Sequence, residues 1–233
     1  MNIQERVKLN RLKTSLPWAE LAKYFSQNTY SDDKGYGYSA FEINDDNFGA
    51  IYTEKNVIEN TATDPLGNEF SQIVTEYISI KFELITLSSK LYLLCVYNPP
   101  KSIKAFTDKV SADLNYKIGL SSIDIDLSKL YQVLREKHEV TLLKLSKIKI
   151  SSLVINDNAK SSIEVISRKN AMDDLHELTL ERKFKIDKMK INCLIDNDKS
   201  EIEISKTGTI SGRSDQVLFY TEIIMTQLLD NEG

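Results

Sequence analysis

The sequence contains few of the residues that build reactive or covalently braced proteins. Its 233 residues include two cysteines, two histidines, one tryptophan, eight glycines and four prolines. Two distant cysteines, Cys95 and Cys193, give no disulfide framework, so we expect buried, reduced thiols, as in cytoplasmic proteins. So few glycines and prolines argue against a long flexible linker.

Long apolar runs are also absent. No stretch approaches the roughly 18 apolar residues that a membrane helix requires. Residues 1–13 are charged and lack the apolar core of a secretory signal. The sequence therefore predicts a cytoplasmic protein with no membrane partner.

The overall charge is slightly acidic. The formal net charge is −4, whereas proteins that bind duplex nucleic acid by bulk charge are usually basic, because phosphate neutralisation supplies much of the affinity. The composition disfavours such binding for the chain as a whole and leaves a local basic surface open.

No catalytic constellation is recognisable. The two histidines, His138 and His176, lie in charged helical contexts without a nearby nucleophile. Clusters of cysteine and histidine at zinc spacing are missing, as are the glycine-rich phosphate loops. We therefore expect a protein that is not an enzyme and has no cofactor and no metal.

One acidic segment, 196–206, has the composition of a metal site. A calcium loop counted from Asp196 fails because Glu201 stands where that loop requires glycine. Glu203 and Lys206 resemble the Glu-x-Lys pair of restriction-type nucleases, but their spacing is one residue too long. A divergent metal-dependent nuclease stays as an alternative.

Residues 3–27 predict two helical pieces divided at Leu16-Pro17. Trp18, Leu21 and Phe25 follow the spacing of one helical face. Because an apolar face at a terminus can dock on another chain, these three residues are the candidate protein interface.

The remaining pattern alternates hairpins with helices. Period-two alternation predicts strands such as 73–87 and 184–195, and Asp126 is expected to cap a helix. The predicted fold class is α+β, with two lobes of mostly antiparallel sheet, helices packed on one face and a helical N-terminus. The lobes are expected at 1–117 and 118–233, and their duplication is left open.

Cations recur on two neighbouring strand-like runs. The candidate basic patch consists of Lys147, Lys149, Arg182, Lys183, Lys185 and Lys188. Lys147 and Lys149 share a strand face with Leu145, so that face is expected to be mixed. The patch is interpreted either as a contact for phosphates or as edge-strand protection against aggregation.

The last hairpin and helix, 201–229, carry a Ser-Lys-Thr-Gly-Thr-Ile-Ser-Gly turn that leads into a capped helix. This stretch resembles the end of a TATA-binding-protein repeat. The resemblance implies a hairpin followed by a packed helix. Minor-groove binding is not implied, since the inserted phenylalanines and the basic sheet of that family are lacking.

Together these patterns favour a non-catalytic accessory or scaffolding subunit of a cytosolic prokaryotic complex. The expected partners are larger protein subunits, with nucleic acid as a further partner. The composition, rich in lysine, asparagine and isoleucine, is typical of AT-rich genomes and suggests a role in defence against phage or plasmids. A nucleic-acid-binding protein that acts alone is the second alternative.

Overall fold

The computed structural model describes residues 4–44, 46–179, 182 and 184–230. The chain forms two compact units, one made of the residues up to Arg11 together with those from Leu120 onward, the other of Leu12–Gly119. The lobes expected from the sequence, 1–117 and 118–233, stay a prediction.

Within the described residues there are eleven strands and five helices, and strand residues (53%) outnumber helical ones (25%). In chain order these are β1 (Gln4–Thr14), α1 (Trp18–Gln27), β2 (Tyr36–Ile43), β3 (Asn47–Thr63), β4 (Glu69–Ser88), β5 (Leu91–Tyr97), α2 (Lys104–Asp113), β6 (Ile118–Ser122), α3 (Leu127–Glu136), β7 (Val140–Asn156), β8 (Ala159–Ile166), α4 (Ala171–Thr179), β9 (Lys185–Ile195), β10 (Asp198–Ser205), β11 (Thr209–Arg213) and α5 (Ser214–Asp230).

The predicted helical N-terminus is wrong. Its first piece is the strand β1, and helix begins only at Trp18. The apolar residues Val7 and Leu9 alternate with Arg6 and Lys8, and antiparallel pairing of Val7 with Ile210 of β11 selects this period of two over the partial helical stripe.

The predicted α+β composition is confirmed. The predicted division of the strands into two separate lobes of sheet is wrong. Strand β1 has residues in both compact units, so the strands are not divided into two self-contained sets. Sequence reasoning could not detect this, because the pairing partner of β1 is distant in the chain.

In the unit that contains the C-terminal half, the strand order is β1-β11-β10-β9-β7-β8. Helix α3 packs against β7 and β9, and α5 packs against β10 and β11. The predicted cap of α3 is confirmed, since the Asp126 carboxylate accepts hydrogen bonds from the backbone N–H groups of Ser128 and Lys129, both at 3.0 Å.

The other unit has the antiparallel order β2-β3-β4-β5 and an aromatic core. That core is formed by side chains from α1, α2 and three strands, namely Phe25, Tyr38, Phe48, Tyr52, Phe82 and Phe106. Gly37 allows β2 to approach the backbone of Tyr30 closely, because a Cβ at this position would lie 2.3 Å from Tyr30 backbone atoms.

No helix in the described part of the chain is long and apolar enough to cross a membrane.

The aromatic core predicts a large difference between two Phe→Ala substitutions. Phe25 is 2% exposed and Phe70 is 55% exposed. We expect Phe25→Ala to lower the free energy of unfolding by about 3–5 kcal/mol, because it leaves a cavity among aromatic rings. The matched control, Phe70→Ala, should cost less than about 1 kcal/mol. Urea unfolding followed by the fluorescence of Trp18, which stacks on Tyr92 in the same unit, measures both. Equal losses of unfolding free energy in the two variants would contradict the assignment of Phe25 to the core and Phe70 to the surface.

Candidate nucleic-acid interface

Five adjacent strands, β1, β11, β10, β9 and β7, separate apolar from charged side chains. Successive side chains of a strand point to opposite faces, and directly paired residues share a face. One face carries a fully buried row that runs across all five strands: Val7, Ile210, Ile204, Met189 and Ile148.

The opposite face is charged and reaches solvent, and we call it the lysine face. Away from the strand ends, its charged residues are Arg6, Lys8, Lys144, Lys147, Lys149, Glu164, Lys188, Lys190, Glu201 and Glu203. Neutral polar side chains between them are Asn192, Ser205, Thr209 and Ser211.

The lysine face is strongly positive relative to the rest of the chain. Its seven cations and three carboxylates give a formal net charge of +4, whereas the whole chain carries −4. At its borders, Asp187 pairs with Lys206, and Arg213 pairs with Asp198 and Asp215, so these groups largely compensate one another. Charge is therefore segregated onto this face, which makes it attractive to polyanions.

Three diagonal ion pairs cross the lysine face. Their N···O distances are 2.9 Å for Lys147–Glu164, 2.5 Å for Lys188–Glu203 and 2.7 Å for Lys190–Glu201. The side chains in these pairs retain between 30% and 62% of their exposure. Ion pairs this accessible contribute little to stability, so a phosphate can compete for the lysines.

Two further lysines form no such ion pair. Lys144 and Lys149 are exposed, and within the described residues no carboxylate forms a salt bridge with either. Lys149 pairs directly with Lys188 across β7 and β9, a like-charge juxtaposition that costs free energy in a sheet. These side chains are available to an anionic ligand.

Cations also crowd at the β1 border of the face. Burial, and then repulsion from Arg6, lower the pKa of Lys8. The Lys8 ammonium donates to the backbone oxygen of Thr207 at 2.5 Å. A bound anion would relieve this repulsion.

The lysine face contains no aromatic side chain among the residues that define it. Bases therefore find no ring on which to stack, whereas lysine, arginine, serine and asparagine are the side chains that contact phosphate and sugar oxygens. The chemistry of the face fits the backbone of a nucleic acid and gives no direct reading of sequence.

The structure places the predicted basic patch only partly on this face. Lys147, Lys149 and Lys188 belong to the lysine face. Lys185, the first residue of β9, and Arg182, just before this strand, are both exposed. The Arg182 guanidinium donates to the Val154 carbonyl at 3.5 Å. The remaining predicted member, Lys183, lies outside the described residues.

A β-bulge explains why the expected mixture of Leu145 with lysines does not occur. The register of β7 against β9 shifts between Leu145 and Lys147, so the extra residue, Ser146, reverses the alternation. Leu145 is completely buried, while Lys147 lies on the lysine face. The expectation of a mixed face is wrong for this reason.

Sequence reasoning missed several members of the face. The sequence pattern assigns Arg6 and Lys8 to a helix and does not associate the carboxylates Glu164, Glu201 and Glu203 with the lysines. The alternation of Arg6 and Lys8 with Val7 and Leu9 was the available signal. The partner strands of these residues could not be inferred locally.

The candidate protein interface has a packing role in its own unit. Leu21 and Phe25 are 1% and 2% exposed, and half-buried Trp18 stacks on Tyr92 at a centroid distance of 5.6 Å. A docking role for this face stays a prediction, and two of its three side chains are already enclosed.

The residues of the nuclease alternative do not converge. Glu203 pairs with Lys188 and Lys206 with Asp187, both on neighbouring β9. Across the part of the chain that is described, no group of three or more histidine, cysteine, aspartate or glutamate side chains could hold a metal ion. His176 is exposed and lies 5.6 Å from the Phe184 ring.

A second exposed surface is the distal part of the β3–β4 hairpin, residues 54–78, which we call the arm. Its strands pair in continuous register, and residues 56–63 extend about 25 Å. An Asp64 turn closes it, with backbone N–H groups of Leu66 and Asn68 donating to the carboxylate at 2.8 and 2.9 Å. Apolar side chains are exposed along both faces: Val57, Ile58, Leu66, Phe70, Ile73, Tyr77 and Ile78.

No protein-family model matches this sequence, and no curated protein is significantly similar to it. The assignment of function therefore rests on the geometry described above.

The diagonal ion pairs predict specific carboxylate titrations. The hydrogen bond from Lys147 lowers the pKa of Glu164, and that from Lys190 lowers the pKa of Glu201. We expect Lys147→Met to raise the pKa of Glu164 toward its ordinary value and to leave Glu201 unchanged, while Lys190→Met does the reverse. Carboxyl ¹³C chemical shifts measured against pH test this. Equal shifts of both glutamates in each variant would contradict the pairing.

Proposed function

We propose that this chain is a non-catalytic nucleic-acid-binding protein that holds the phosphate backbone of its ligand on the lysine face. The observation that carries the proposal is the concentration of seven cations and three carboxylates on one exposed sheet face of an acidic protein. Binding by such a face is sequence-independent and releases counterions.

The arrangement of the strands supports this function in two ways. Helices α3 and α5 pack against the buried face of the same strands. The lysine side chains on the opposite face therefore stay accessible. The diagonal carboxylates hold the ammonium groups of their lysine partners in place. The face keeps a net positive charge.

Salt-dependent retention of nucleic acid tests the proposal. We expect single-stranded DNA or RNA, or duplex DNA, to bind at about 50 mM salt and to be released as salt rises. In Lys144→Glu/Lys149→Glu, affinity should fall by about tenfold or more, and the slope of log K against log salt should decrease by about 1.5. Fluorescence anisotropy with labelled oligonucleotides measures both quantities.

A matched control removes the same charge elsewhere. Lys101 and Lys104 are exposed in the other unit, and Lys101→Glu/Lys104→Glu should retain nearly wild-type affinity. Equal losses in the two double variants would show that overall charge is responsible. Absence of retention of every polymer by the wild type at low salt would refute the proposal.

A second candidate function, an accessory subunit that docks on a protein, is favoured by the arm. An isolated two-stranded ribbon is marginally stable in water, and this one exposes apolar side chains on both faces. Residues 54–78 contain five carboxylates and one lysine, a net charge of −4. The arm repels nucleic acid and suits a protein partner with a cationic, apolar groove.

Substitution of arm residues tests this candidate. We expect Phe70→Ser/Ile73→Ser to reduce the mass of the complex purified from native cells, as measured by light scattering after size-exclusion chromatography. The control, Leu178→Ser/Leu218→Ser, alters two side chains of similar exposure outside the arm, 62% and 57%, and should leave the mass unchanged. An unchanged mass in the arm variant would remove the docking role.

A further inference from the structure

The arm, residues 54–78, and the lysine face carry formal charges of equal size and opposite sign, −4 and +4. The one lysine of the arm, Lys55, forms a salt bridge at 3.3 Å with Asp32, which lies outside the arm. In the described part of the chain, no lysine or arginine forms a salt bridge with the exposed carboxylates of Glu59, Glu69 and Glu76. The negative charge of the arm is therefore open to a cationic surface.

One face of the arm alternates carboxylates with apolar side chains. Directly paired residues share a face, and the register of β3 against β4 is continuous along the arm. Val57, Glu59, Glu69 and Ile73 consequently lie on the same face, which we call the docking face. Val57 and Ile73 are 62% and 70% exposed.

The opposite face of the arm is less suited to a cationic surface. It carries two carboxylates, and one of them, Glu54, is half-buried and accepts a hydrogen bond from the Tyr52 hydroxyl at 3.0 Å. This face also continues the side of β3 and β4 on which Tyr52 and Ile80 are buried. The docking face is thus the side of the arm that combines exposed charge with exposed apolar area.

The lysine face offers apolar contact as well as charge. Ile166 of β8 pairs directly with Lys147, so it lies on the lysine face, where it is 75% exposed. The methylene stems of lysine side chains also cover apolar surface while the ammonium groups reach outward. A phosphate backbone offers nothing to an exposed isoleucine, whereas an amphipathic protein ribbon does.

The dimensions of the two surfaces agree. Neighbouring strands lie about 4.8 Å apart, so the six strands from β8 to β1 span about 24 Å. Residues 56–63 of the arm extend about 25 Å. A ribbon two strands wide covers a few hundred Å² at most, less than the roughly 800 Å² per partner of a stable complex. A contact of this size is weak and sensitive to salt.

We propose that the docking face of one copy binds the lysine face of a second copy of this chain. Two different surfaces meet, so the contact is heterologous. Nucleic acid and the arm then compete for the same lysines, and the arm limits access to the lysine face. This competition rests on the proposed function, whereas the contact between copies does not.

Sedimentation of the purified full chain tests the contact. The weight-average mass should exceed that of the monomer at about 50 mM salt and fall to it at about 500 mM. We expect Glu59→Lys/Glu69→Lys to weaken self-association about tenfold or more, because each substitution places a cation against the lysine face. Lys144→Glu/Lys149→Glu should weaken it similarly from the other side.

A matched control makes the same change of charge elsewhere. Glu177 on α4 and Glu222 on α5 are exposed and lie outside the arm. Glu177→Lys/Glu222→Lys should associate as the wild type does. Equal losses in this variant and in the arm variant would overturn the inference. Circular dichroism verifies that all variants fold.

Mixing the two deficient variants tests that the contact is heterologous. The arm variant, Glu59→Lys/Glu69→Lys, keeps an intact lysine face, and the face variant, Lys144→Glu/Lys149→Glu, keeps an intact arm. An equal mixture should therefore form one-to-one pairs although each variant alone is monomeric. If the face variant alone associates as the wild type does, the arms bind each other or a different surface, and the inference fails.

The outcomes separate this inference from the proposed function. If the wild type retains nucleic acid but stays monomeric at low salt, the contact between copies fails and the proposed function stands. If the copies associate and the mixture recovers pairs while no polymer is retained, the proposed function fails and the contact stands. With both correct, an added oligonucleotide should return the associated wild type to monomers.

Discussion

The register of β1, β11, β10, β9 and β7 is the constraint on which the rest of this unit depends. Cross-strand pairs bring Val7, Ile210 and Ile204 onto one buried face. A slip of one residue in any strand would expose its aliphatic side chains and bury its charged or polar ones, which is unfavourable in both respects. Hydrophobic burial fixes the register, and the lysine positions follow from it.

The net charge of the chain conceals a separation of charge within it. The lysine face has a formal charge of +4 and the arm −4, and each belongs to a different compact unit. Association with charged ligands is governed by such local fields because salt screens exposed charges beyond about 8–10 Å. A mean value for the whole chain therefore says little about which polymers or proteins either surface attracts.

Backbone irregularities give this sheet its chemistry. The bulge at Ser146 places Lys147 on the face of Lys190 after Leu145 has entered the core. Regular alternation through β7 would have buried a lysine or exposed a leucine. Bulges near functional surfaces commonly aim side chains in this manner.

Local patterns in the sequence determined much of the secondary structure, because they depend on residues close in the chain. The alternation of apolar and charged residues in β9 and β10 and the Asp126 cap are of this kind. The sequence does not reveal the N-terminal strand because Val7 and Leu9 fit the period of a strand, whereas Leu9 and Leu12 fit the spacing of a helix. Only pairing with β11, about 200 residues away, selects the extended form.

Composition by itself determined that reactive residues are few and that no cysteine framework is present. Only the tertiary structure decided which lysines share a surface and which carboxylates accompany them. The physical reason is that strand pairing is non-local. A sequence specifies which side chains alternate, whereas the partner and its register decide which of them meet.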